Sequence, residues 1–167
     1  MTMNSYAVVA LFARTEAGTS IARSEWPAHL TLASNFAVDA APQLVVETVR
    51  AALPGGEPLE ARLGAAAMFG PNADIPVQLV DDGPFPGLHE RLAQAVERLP
   101  RFVADEPQYW HEDYRPHITL RFAPDVVEGD VWPVRCCATA LLTADRGTII
   151  DVIDSGTPHL RHDRTAP

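Results

Sequence analysis

Pro116-His117-Ile118-Thr119-Leu120 decides the reading of this chain, because His29-Leu30-Thr31-Leu32, with Pro27 two residues before its histidine, repeats it earlier. Each copy reads His, aliphatic, Thr, Leu. In an extended strand successive side chains point to opposite faces. His29 and Thr31 would then share one face and Leu30 and Leu32 the other, and His117 and Thr119 would be parted likewise from Ile118 and Leu120. Each copy predicts a strand with an apolar face in a core and a His/Thr face turned to something polar. Two such strands on a common cleft would set two imidazoles and two hydroxyls around one small group.

The elements between and around the copies predict an α+β fold with mostly antiparallel strands. Tyr6–Phe12 is a continuous apolar run, typical of a buried strand. Residues 13–24 read as a loop. The first His/Thr strand covers about 28–36. Ala41-Pro42 opens a helix whose apolar face is Leu44, Val45, Thr48, Val49 and Leu53, and Pro54-Gly55-Gly56 stops it. Residues 57–69 and Pro76–Val80 predict a hairpin through Phe69-Gly70-Pro71. A second helix carries Leu88, Leu92, Ala95, Val96 and Leu99 on one face. Residues 103–114 form an aromatic loop, the second His/Thr strand covers about 116–122, and two strands close the chain at 134–143 and 148–153.

The composition narrows the function. With 167 residues and 47 % apolar content, one domain over 1–167 is expected, with a polar tail from about residue 156 that frays. Lys and Arg number 13 against 22 Asp and Glu, a formal charge of −9. That disfavours long nucleic acid or an anionic membrane as main partner and leaves room for a small anion in a locally positive pocket. The two cysteines, Cys136 and Cys137, are neighbours, so a disulfide framework is excluded and a cytoplasmic location fits. In a strand they would face opposite sides. Tyr6–Ala13 is too short to cross a bilayer, so no membrane partner is expected. No spacing of His or Cys resembles a metal site, and the chain carries no sign of a cofactor or a protein partner.

Two histidines on opposite sides of a phosphorus can act together. One deprotonates the incoming hydroxyl or water while the other protonates the leaving oxygen. Threonines on the same face can donate hydrogen bonds to the non-bridging oxygens. The scheme needs no metal and suits a 2′,3′-cyclic phosphate or a 2′–5′ linkage. At these residues the chain resembles the two-histidine (2H) phosphoesterase superfamily, which includes 2′-5′ RNA ligase-like and cyclic phosphodiesterase proteins. The resemblance runs over nearly the whole chain. It implies a two-lobed, pseudo-symmetric fold with a central cleft carrying the two His-x-Thr motifs, and His29, Thr31, His117 and Thr119 as the catalytic quartet.

One position departs from the family. Members often carry an arginine two residues past the second motif, where this chain has Phe122. Arg121 precedes it and by alternation would share the face of His117 and Thr119, as a phosphate clamp; an arginine reaching solvent from a strand end fits equally well. Trp26, Phe36, Tyr109, Trp110 and Tyr114 are candidates for stacking on a nucleobase, against the plainer reading of core or rim packing. The 103–114 loop is a candidate lid, though Asp105, Glu106, Glu112 and Asp113 make it acidic. Of the other histidines, His89 reads as surface, His111 as near the cleft at most, and His159 and His162 as tail.

The expected function is a metal-independent phosphodiesterase acting on a nucleotide, cyclic nucleotide or short oligonucleotide. Which histidine is base and which acid stays open. An RNA-end processing enzyme with the same site is the nearest alternative, and would show steeply salt-dependent RNA binding. A nucleotide-binding module without turnover is the other, and the intact histidines and threonines speak against it.

Overall fold

The Tyr6–Phe12 run lacks alternation because both faces of its strand are buried. The structure is a computed structural model that describes residues 2–81 and 83–156. In it, β1 (Asn4–Leu11) sends Tyr6, Val8 and Ala10 to one apolar cluster and Ala7, Val9 and Leu11 to another. The chain continues through β2 (Ser20–Ala22), β3 (His29–Val38), α1 (Pro42–Ala52), β4 (Glu60–Phe69), β5 (Ile75–Val80) and α2 (Phe85–Val96). It closes with β6 (Val103–Ala104), β7 (His117–Thr119), β8 (Val131–Pro133), β9 (Cys136–Leu142) and β10 (Arg146–Asp154).

All strand pairs are antiparallel, in the order β2-β10-β9-β1-β3-β7-β5-β4-β8, with β6 on the side of β3. The sheet is curled, and two helices complete the α+β fold. Read outward from its middle, the order is pseudo-symmetric. β3 is followed by β1, β9 and β10, and β7 by β5, β4 and β8. The two halves meet where Leu30 pairs Ile118. These are the central aliphatic residues of the two motifs, and both are fully buried.

The larger cluster lies under the helices. It joins Leu30, Leu32, Phe36 and Ile118 of the sheet to Val45 and Val49 of α1 and Phe85, Leu92 and Val96 of α2. Each such side chain stabilises the fold by about 1.5–3 kcal/mol through burial. The smaller cluster holds Val9, Leu11, Trp26, Ala138, Ala140 and Ile149. Cys137 belongs to the first cluster and Cys136 to the second. They do face opposite sides of β9, and both are core.

Several expectations need correction. Residues 13–24 are not all loop: Ser20–Ala22 pairs the start of β10. Leu44 is exposed rather than part of the α1 core face. The second His/Thr strand is three residues long, and Leu120–Phe122 is a 3-10 turn. His89 is buried, not surface. His159 and His162, and the tail beyond Gly156, lie outside the described residues. No helix among the described residues is long and apolar enough to cross a membrane.

Candidate active site

Antiparallel pairing centred on Leu30 and Ile118 dictates the geometry of their neighbours. His29 falls opposite Thr119, and Thr31 opposite His117. The histidines are therefore diagonal neighbours on one face, which in a sheet means roughly 7–8 Å between backbones. That leaves a gap fit for a phosphoryl group, with the threonines on the other diagonal. All four side chains line one cleft of about 340 Å³.

The two imidazoles are held identically. His29 Nδ1 lies 2.8 Å from the Pro27 carbonyl, and His117 Nδ1 lies 2.8 Å from the Arg115 carbonyl. A carbonyl only accepts, so each Nδ1 carries the proton and donates it. Each Nε2 is left with its lone pair for the cleft. Aromatic rings wall both sides. Trp26 meets His29 edge-on at 5.4 Å, Phe122 lies 5.3 Å from His29, and Phe69 meets His117 at 4.6 Å. Burial lowers the pKa of His29, against the opposing pull of the Pro27 carbonyl, and charge on His117 lowers it further. Burial likewise lowers that of His117, opposed by the Arg115 carbonyl and assisted by the Arg115 charge. Protonating one imidazole thus opposes protonating the other. Among the described residues neither threonine hydroxyl is taken by a protein partner.

The remaining sequence candidates separate. Trp26 lines the cleft, and its ring also packs into the smaller core. Tyr114 lines it too, with its hydroxyl donating to the Thr31 carbonyl at 2.8 Å. Tyr109 lines it, stacked parallel to Phe69. Trp110 does not belong to the site. It is buried, donates Nε1–H to Ser34 Oγ at 2.8 Å, and packs on Phe36 and Phe102. Phe36 is likewise core. Arg121 does not share the face of His117, because alternation ends where the strand becomes a 3-10 turn; its guanidinium lies over Phe122, outside the cleft. His111 sits away from the cleft between Glu90 and Glu97.

Two arginines stand in the cleft instead. Arg23, on the turn after β2, donates Nη1–H to the Thr143 carbonyl at 3.2 Å. Arg115, just before the second motif, lies over the Phe69 ring at 5.2 Å. Ser34, Asn35 and Glu106 complete the polar lining. The signal for Ser34 and Asn35 was their adjacency in an apolar strand. Phe36 pairs Tyr6 while Ala33 pairs Val8, so β3 carries an extra residue there. A bulge of this kind turns consecutive side chains toward one face. Gly70, at φ +90°, makes the tight turn after Phe69; a Cβ there would come within 2.9 Å of Ile75 Cδ1.

Comparison with known proteins agrees with this architecture. TT0787 of Thermus thermophilus is 20 % identical and superposes over 93 % of this chain and 100 % of its own, with a TM-score of 0.56. E. coli LigT complexed with NADP+ is 15 % identical over 92 % of this chain and 98 % of its own, TM-score 0.54. LigT complexed with 3′-AMP gives 15 %, 93 %, 100 % and 0.55. No curated protein sequence matches the chain. The sequence model of the 2′-5′ RNA ligase superfamily matches residues 9–130. This match takes in both His-x-Thr motifs and covers most of the sequence, so the chain belongs to the 2′-5′ RNA ligase superfamily of 2H phosphoesterases.

Proposed function

We propose that the protein is a phosphodiesterase that hydrolyses a 2′,3′-cyclic phosphate or a 2′–5′ phosphodiester in a nucleotide or short oligonucleotide. The observation that carries this is the diagonal pair of imidazoles, each Nδ1–H tied to a backbone carbonyl and each Nε2 left for the cleft. For a cyclic phosphate, one Nε2 takes a proton from water as the water oxygen bonds to phosphorus. The Nε2–H of the other imidazole protonates the ribose oxygen as its bond to phosphorus breaks. Thr31 and Thr119 donate to the non-bridging oxygens, whose charge grows in the transition state. No metal takes part in this scheme.

Arg23 and Arg115 are the cations for the substrate's negative charge, in place of Arg121. Phe69 and Tyr109 offer a flat surface for a base. Glu106 in the lining and the net charge of −9 favour a nucleotide-sized ligand over long RNA. The nucleotides bound by LigT, NADP+ and 3′-AMP, support the same class of ligand.

The test is turnover of 2′,3′-cyclic mononucleotides, a 2′–5′ dinucleotide, cyclic oligonucleotides and RNA bearing a terminal cyclic phosphate, all in EDTA. EDTA-resistant hydrolysis of a small member supports the proposal. Turnover of the RNA end alone, with steep salt dependence, would replace it with RNA-end processing. Binding without turnover of any member would replace it with a nucleotide-binding module.

Arg23→Ala and Arg115→Ala should each raise KM by about tenfold to a hundredfold, as expected for a lost hydrogen bond to a charged group. Arg121→Ala should leave KM unchanged. If Arg121→Ala raises KM and the other two do not, the assignment of the clamp reverses.

The pH profile follows from the shared proton. Activity needs one imidazole charged and one neutral. Both pKa values are pushed below the ordinary imidazole value. The alkaline limb of kcat/KM, where the acid loses its proton, should therefore fall below about pH 6.5. A profile still rising past about pH 8 would remove an imidazole acid from the mechanism.

A further inference from the structure

His89, on the buried face of α2, is 1 % exposed and belongs to neither motif. Its Nδ1 lies 2.6 Å from the Leu32 carbonyl, so it donates there. Its Nε2 accepts the backbone N–H of His111 at 2.9 Å. Both bonds form together only in the neutral, Nδ1-protonated imidazole. The Tyr114 ring stacks on His89 at 4.1 Å and 3°, and the Tyr114 hydroxyl holds the Thr31 carbonyl.

The two carbonyls held in this way belong to consecutive residues of the first motif. Thr31 pairs Val9 and Ala33 pairs Val8, so Leu32 is the extra residue of a bulge. A bulged residue is left without a ladder partner, and His89 supplies one. At the other nitrogen, His111 adopts a φ of +59°, which a non-glycine residue holds only when its surroundings fix it. Its N–H is fixed by His89, and its side chain by Glu90 at 3.0 Å and Glu97 at 2.5 Å. The titratable groups around His89 are thus Tyr114, His111 and, through His111, Glu90 and Glu97. Burial lowers the pKa of His89, the Leu32 carbonyl and the two glutamates opposing and charge on His111 assisting, which favours the neutral form.

We propose that His89 is a positioning residue: from α2 it fixes the bulge that aims Thr31 into the cleft and anchors the loop that carries Tyr109, Tyr114 and Arg115. The inference rests on the phosphodiesterase reading for its effect on turnover. The anchoring itself can be read without substrate.

His89→Phe keeps a ring against Tyr114 and removes both hydrogen bonds. His89→Gln keeps a donor and an acceptor on one side chain. With folding checked by circular dichroism and thermal melting, His89→Phe should exchange the amides of residues 108–114 faster than the natural protein. It should also lose on the order of tenfold to a hundredfold in kcat on the best substrate of the panel, through misplacement of Thr31. His89→Gln should recover most of both. Imidazole nitrogen shifts should report a protonated Nδ1 and a bare Nε2 at pH 7. If His89→Phe does not fold, His89→Leu, which also removes both hydrogen bonds, and the imidazole nitrogen shifts of the natural protein carry the test.

Unchanged exchange and turnover in folded His89→Phe would overturn the proposal. So would a charged His89 at pH 7, or a loss in kcat that merely tracks melting temperature across the variants. Absence of turnover in the natural protein would defeat the phosphodiesterase reading instead, and the exchange and nitrogen shifts would still decide the role of His89.

Discussion

His29→Ala and His117→Ala are each expected to fold and to lose on the order of a hundredfold to ten-thousandfold in kcat. The strands that carry them are held by Leu30 and Ile118, which are fully buried and pair with each other. Truncating the half-buried imidazoles leaves that pair, and both carbonyl acceptors near water, so the scaffold should survive. The chemistry should not, because one imidazole cannot be base and acid at the same instant. Residues that act as a unit are strongly non-additive, so the double mutant should be little worse than either single one. Thr31→Ala and Thr119→Ala remove only a donor to a developing oxyanion and should each cost up to about a hundredfold to a thousandfold. The decisive measurement is kcat of both single mutants on the best substrate, in EDTA, with melting curves alongside. Near-normal turnover in both would end the two-histidine mechanism. A full loss in the double mutant with only mild losses in the singles would mean that each histidine can replace the other, which simultaneous acid and base catalysis forbids.

The two His-x-Thr motifs were legible because their signal is local. A strand's two-residue period sorts His and Thr from Leu within four positions, and the repetition of the pattern does the rest. The apposition of the copies was not local. It depends on the one pairing of Leu30 with Ile118, between strands separated by both helices. Arg121 was misread because alternation was carried one residue too far. The Ala123 N–H closes back on the Leu120 carbonyl at 3.0 Å, and the turn takes Arg121 off the strand face. Trp110 was misread because an aromatic residue in a loop has no period to say which way it points. His89 was misread for a similar reason. Leucine and histidine adjacent on a helix suggest the edge of the apolar face, and nothing nearby in the sequence names the Leu32 carbonyl or the His111 N–H as partners. Arg23 lay in a stretch read as plain loop, and its place in the cleft depends on the short β2 edge pairing β10. The family resemblance supplied the pseudo-symmetry, and in the sheet it appears as strand order, with β3 and β7 at the centre.

Phe36→Ala should be the most damaging single change to stability among those considered, at about 3–5 kcal/mol. Phe36 is fully buried and within 5.8–6.1 Å, centroid to centroid, of Tyr6, Phe102 and Trp110. These four rings join β1, β3 and the segment after α2 into one cluster, so a void there cannot close by moving one side chain. Trp110 would be loosened from beneath, and with it the hydrogen bond to Ser34 and the edge contact with His89 at 5.5 Å. Against a typical total of about 5–15 kcal/mol, the loss would remove a large share of the stability. Phe36→Leu, which refills most of the volume, should cost markedly less. Urea unfolding of both variants, read as a change in midpoint at constant slope, checks this. A cost below about 1 kcal/mol for Phe36→Ala would mean that the cluster does not hold the loop to the sheet. On this fold the histidines that face the cleft should be removable with the scaffold intact, whereas removing the Phe36 ring beneath the bulges of β3 should loosen the cleft as well.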